Sequence, residues 1–138
     1  IFPHLAGTFH YLFNLEHARR PLPHPRQLVD TCLEIWRRGL FPLGRQVSFA
    51  EIDWIYCLAR ARRQSGYRFA EADQALREFA AVYIPYLLSL DPAVDEGLND
   101  LHSLFGALCA LAELQRELRG QIHTPRPLRL VLDRRPFI

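Results

Sequence analysis

Three ionisable residues fall at equivalent points of a repeated pattern: His10, Asp53 and Asp100. The stretch YLFNLEHARR (Tyr11 to Arg20) aligns without gaps on WIYCLARARR (Trp54 to Arg63), 43 residues later. Asp100-Leu101-His102 opens a looser third copy, LHSLFGALCALAEL. Each of the three residues sits near the start of a predicted helix. Stacked in register, those helix starts would ring one mouth of a cavity, where positive helix ends favour an anionic ligand and ionisable groups could act as acid and base. Asp100 has a plainer role as an N-cap, alone or with Asn99. Asp53 lacks that explanation, because Ser48 already holds the cap position and Asp53 lies a turn inside.

A second set of residues has the types of a metal site. Asp30 and Cys32 are two apart, and His102 follows on a later helix. Asp53 and Cys57, at i and i+4, share one helix face. Oxygen, sulfur and nitrogen ligands from separate helices, with one position open, would make a catalytic zinc site. Zinc is the one cofactor these residues suggest. Cys109, among alanines and leucines, reads as core. Glu16, His17 and Glu113 read as solvated helix residues. Phe9, Phe13, Trp54, Tyr56, Phe79, Tyr83, Tyr86 and Phe105 recur at helical spacing and read as core, with a cavity lining as the alternative. The chain holds no phosphate-binding, dinucleotide-binding, G-x-S-x-G, H-E-x-x-H or C-x-x-C signature.

The elements that must position these groups are helices. Ser48 and Glu51 form an S-x-x-E capping box, Gly66 supplies the stop, and Ile52, Ile55, Tyr56 and Ala59 give one apolar face. The spacing predicts helices over 8–20, 25–38, 48–65, 69–90 and 96–119. An opening loop over residues 1–7 precedes Thr8 as N-cap, and Pro85 should kink or break the fourth helix. Residues 121–138 read as an extended strap, in which Arg129 to Asp133 is strand-like but unpartnered. The pairs Arg19-Arg20, Arg37-Arg38 and Arg62-Arg63 fall in last turns, where they complement the helix dipole. Antiparallel helical hairpins with a period near 45 residues place the chain in an all-α class, part of an α/α toroid or α-solenoid. A compact orthogonal bundle is the competing arrangement.

Composition bounds the rest. The 138 residues are 49% hydrophobic and 23% charged, a globular balance that suits a single domain. A net charge of +2 gives no electrostatic footprint for nucleic acid. Three widely spaced cysteines point to a reducing, cytoplasmic setting rather than a disulfide framework. No apolar run is long enough to span a membrane. The absence of an initiator methionine leads us to expect the C-terminal part of a longer protein. Half a toroid would carry an exposed apolar edge, so a homodimer or a missing N-terminal half is the expected partner.

The segment QLVDTCLEIWRRGLFPL resembles the stretch around the zinc-binding Asp-x-Cys of protein prenyltransferase β subunits. Leu28, Val29, Asp30, Cys32, Trp36, Gly39, Leu40, Pro42 and Leu43 match that pattern. His102, in Asp-Leu-His, has a place similar to the histidine that completes the family's site, where the spacing is Asp-x-x-His. The resemblance implies an α/α toroid with an aromatic-lined cavity and zinc held by Asp30, Cys32 and His102. That zinc would activate a thiol for alkylation by an isoprenoid diphosphate. The related terpenoid cyclases share the toroid without the zinc. Three functions follow as expectations. One is acid-assisted chemistry on a small apolar, isoprenoid-like ligand, with His10, Asp53 and Asp100 as catalytic residues. The second is sugar hydrolysis with Asp53 and Asp100 as acid and base, roughly 5–9.5 Å apart. The third is a non-catalytic helical-repeat interaction module.

Overall fold

The computed structural model describes residues 2–126 and 128–130. Among them are five α-helices: α1 (Phe2–His17), α2 (Pro25–Arg37), α3 (Ala50–Ser65), α4 (Phe69–Ser89) and α5 (Leu101–Glu117). A single 3-10 turn, Glu96–Leu98, precedes α5, and no strand occurs among the described residues. The chain is all-α.

Local chemistry explains where the helices begin and end. Proline in a first helical turn loses no hydrogen bond, so α1 starts at Phe2 with Pro3 inside it, and the expected opening loop is helical instead. Thr8 is no cap: its hydroxyl donates to the His4 carbonyl at 2.7 Å, within the helix. At the end of α1 the Arg20 N–H reaches the Leu15 carbonyl and the Arg19 N–H the Glu16 carbonyl, with Arg19 left-handed at φ 54°. Arg19 and Arg20 therefore lie beyond the helix, not in its last turn. Gly39 closes α2 by the same double bond, at φ 56°. The capping box is modified: Ser48 Oγ accepts from the Ala50 N–H at 3.0 Å, while the Glu51 carboxylate takes the Gly44 N–H at 3.1 Å. Glu51 thus ties down the preceding loop. The α4 helix runs unbroken through Pro85, and residues 96–98 form the 3-10 turn, not the start of α5.

At the centre lies α3, with every residue from Ala50 to Arg62 buried. The other four helices all pack on it, and α2 also packs on α4. Gly106 meets Phe49, Glu113 meets Arg60 and Glu117 meets Arg62, so α5 runs parallel to α3. The α1 helix runs the same way, from Phe9 beside Tyr56 to Glu16 beside Arg60. Asp73 lies by Arg62 and Phe79 by Trp54, which makes α4 antiparallel to α3. The Trp54 indole N–H donates to the Cys32 carbonyl at 2.9 Å, and Gln64 pairs with Leu22 just before α2, so α2 is antiparallel too. Successive helices alternate in direction.

Aromatic rings fill the seams. Trp36, Trp54, Phe79 and Tyr83 form a chain with centroids 5.6, 5.2 and 5.0 Å apart between α2, α3 and α4. On the opposite side, Phe9 meets Tyr56 edge-on at 5.2 Å. A Cβ at Gly106 would come within 2.8 Å of Phe49 Cα and 2.9 Å of the Ser48 carbonyl oxygen. Only glycine lets α5 cross the start of α3 with backbones touching. The small-residue stretch GALCALAEL begins at this close approach.

Charge enters this interior where the pattern of residues did not foretell it. Arg62, expected to serve a helix dipole, is 2% exposed and bound to Asp73 at 3.1 Å and Glu117 at 2.7 Å. Glu113, expected in solvent, is 1% exposed and meets Arg60 at 3.2 Å and Arg116 at 2.6 Å. Both are corrections with one cause: α3, buried from Ala50 to Arg62, has no solvated face, so its arginines draw acids from the helices packed on it, Glu113 among them. After α5, Gln115 holds the tail, donating to Thr124 Oγ1 at 2.8 Å and accepting from the Leu128 N–H at 3.0 Å. Of the strand-like stretch, Arg129 and Leu130 are described and not in a strand; Val131 to Asp133 lie outside the described residues.

Candidate functional site

Asp53 stands one turn into α3, where α1 and α5 flank it from either side. The three helices leave a cavity of about 60 Å³. Phe9 and His10 come from α1, Ile52 and Asp53 from α3 with Phe49 just before it, and His102, Phe105, Gly106 and Cys109 from α5. The walls are mainly apolar. His10 and His102 lie exposed at the rim, the His10 ring edge-on to Phe9 at 5.2 Å and the His102 ring 5.1 Å from Phe49.

The Asp53 carboxyl is 3% exposed, and its Oδ2 has no hydrogen-bond partner. Burial, and then the neighbouring carboxyl of Glu51, push its pKa up to about 8. A carboxyl in that state is an acid poised near neutral pH, able to donate a proton or to accept a hydrogen bond. Glu51, just as buried, differs in being held by the Gly44 N–H and the Ser48 hydroxyl. Burial also pushes the Cys109 thiol up to about 12, so it contributes polarizable surface and no nucleophile.

His10, Asp53 and His102 thus line one pocket. Asp100 is placed differently. Its carboxylate accepts from the Ser103 N–H at 2.9 Å and the His102 N–H at 3.4 Å, capping α5 at the surface, and it is not among the residues lining the cavity. Phe49 and Gly106 were not singled out by the sequence. Their signals were present as an aromatic directly after the cap serine and a glycine opening a run of small residues.

The residues expected as zinc ligands are not gathered. Arg68 binds Asp30 at 2.6 Å. Cys32 is fully buried against α3, and burial holds its thiol far above the usual range. His102 belongs to the pocket on the other side of α3. Cys57 is raised by burial, then by Cys32 and Asp53. Among the described residues no three His, Cys, Asp or Glu side chains are grouped to hold a metal ion. Asp30, Cys32 and His102 thus do not converge as donors among the described residues. No described helix is long and apolar enough to cross a membrane. The chain matches no protein-family model, and no curated protein or solved structure is similar to it at a significant level.

Proposed function

We propose that this chain binds a small ligand in the cavity between α1, α3 and α5, with Asp53 as the hydrogen-bonding acid at its base. One observation carries the reading: Asp53 is buried with an unpartnered Oδ2 beside two rim histidines. Leaving a buried polar atom unpaired costs ~1–3 kcal/mol, which a ligand would offset and the fold does not. The alternating helix directions support a wider reading in which α1–α2 and α3–α4 are hairpins of a toroid or solenoid with α5 opening the next. In that reading the cavity is the mouth ringed by helix starts. With one carboxyl lining it, the pocket favours acid-assisted or simple binding chemistry over the paired carboxylates of sugar hydrolysis.

The test is a ligand-fragment screen read by amide NMR on the whole chain and on Asp53→Asn and His102→Ala. Fragments that shift Phe49, Asp53 and Phe105 amides in the native chain, and lose that effect in Asp53→Asn, support the pocket. Shifts confined to other surfaces, or unchanged in the variant, count against it.

A further inference from the structure

The cavity opens onto a second feature. Leu101, Leu104, Phe105 and Leu108 form a shallow, open apolar groove along one face of α5, and His102 and Phe105 belong to both it and the cavity. Leu101 is 80% exposed and Leu108 48% exposed, which is costly for large apolar side chains clustered on one helix face. The groove is thus an apolar track leading to a buried carboxyl.

Charge decides what head group belongs at the end of the track. No arginine lines the cavity among its described residues, although the chain carries 17 arginines and no lysine. An anionic head would meet no fixed positive side chain there. The groups facing Asp53 are Glu51 and Cys57 on its own helix, His10 on α1, and His102 and Cys109 on α5. Glu51 adds a second carboxyl nearby. Phe9, Phe49 and Phe105 add ring surfaces that attract a cation. About 60 Å³ admits a head of a few heavy atoms and little more. Leu101 to Leu108 spans roughly 10 Å of helix, enough for an alkyl chain of middle length.

Resting on the pocket reading above, we propose that the ligand is a primary alkyl ammonium whose charged head sits on Asp53 and whose hydrocarbon chain lies along Leu101, Leu104, Phe105 and Leu108. Binding the cation favours the carboxylate, so affinity rises with pH through the titration of Asp53 and falls again where the amine loses its own proton, near 10.4 for an alkyl amine.

The experiment titrates n-octylammonium, n-butylammonium, n-octanol and octanoate, all below their aggregation limits, into the whole chain, read by calorimetry and by amide NMR. Octylammonium should bind one per chain and at least tenfold tighter than octanol or octanoate. Asp53→Asn should lose tenfold or more for both amines. Leu108→Ser, at an exposed position, should weaken octylammonium several-fold and leave butylammonium unchanged. If octanol or octanoate binds as tightly at the pocket residues, the amine assignment is overturned while the pocket stands. If no probe moves pocket residues, both readings fail. If sedimentation shows a dimer that Leu108→Ser disperses, and octylammonium does not bind, the groove belongs to a second copy and the proposal is wrong.

Discussion

The two ends of α3 bury charge under opposite arrangements. Toward its C-terminus, Arg60 meets Glu16 at 2.9 Å and Glu113 at 3.2 Å, and Arg62 meets Asp73 and Glu117. Arg60 also lies 4.4 Å above the Tyr56 ring. Two turns earlier Asp53 is as deeply buried, yet its Oδ2 meets no donor, and the cavity beside it is walled mainly by phenylalanine rings, an isoleucine and Cys109, with His10 and His102 at the rim. The arginine end is the solution expected of a helix that must be inside and carry charge: each ion is brought in with counter-ions. The Asp53 end has the burial without the compensation. A buried carboxyl left in that condition on the wall of a cavity is where a ligand is expected.

The largest effect should come from breaking the paired end. Arg60→Ala takes a buried counter-ion from Glu113 at the centre of the fold and should cost about 3–5 kcal/mol in urea denaturation. Replacing Arg60 and Glu113 together by leucine should cost clearly less than the single change, because the buried carboxylate leaves with its partner. A double variant no better than Arg60→Ala would mean the network is not what stabilises that end.

Asp53→Asn should behave in the opposite sense. With its folded-state pKa near 8 and an ordinary value unfolded, Asp53 holds its proton in the fold over a range where the unfolded chain releases it. Folding is therefore disfavoured progressively as pH rises from about 4 to about 8, and by a constant amount above that. Asparagine has no proton to lose. The variant should gain on the native chain across that window, by at most about 1.4 kcal/mol for each pH step of one. Melting curves at pH 4, 6 and 8.5 measure this; a difference independent of pH would contradict it.

Two smaller changes test how the pocket is framed. Gly106→Ala places a methyl against the Phe49 and Ser48 backbone and should cost about 1–3 kcal/mol by forcing α5 away from α3, with the cavity disturbed. Asp100→Ala removes the α5 cap and should cost about 1 kcal/mol, leaving ligand binding intact. Binding lost in Asp100→Ala at unchanged stability would bring Asp100 back into the site.

Much of the fold was legible in the sequence where local rules act. Gly66 stopped its helix as expected, and His10 and Asp53, both singled out, line one cavity. The ionic interior was not legible. Nothing in AEIDWIYCLARARR distinguishes an arginine in a last turn on the surface from Arg62 between two acids, because the partners lie on α4 and α5. The expected zinc ligands illustrate the same limit. Asp30 and Cys32 are close in sequence, but residues two apart on a helix point in different directions. Arg68 therefore claims one while α3 buries the other.

The most direct test is a pH titration of the Asp53 side-chain carboxyl by carbon-13 NMR, on the whole chain with Asp53→Asn for assignment. A midpoint near 8, falling toward ordinary aspartate values when octylammonium is added, is the predicted result. A midpoint near 4 in the free chain would mean that Asp53 is already solvated or paired, and would contradict the claim that the fold leaves it for a ligand.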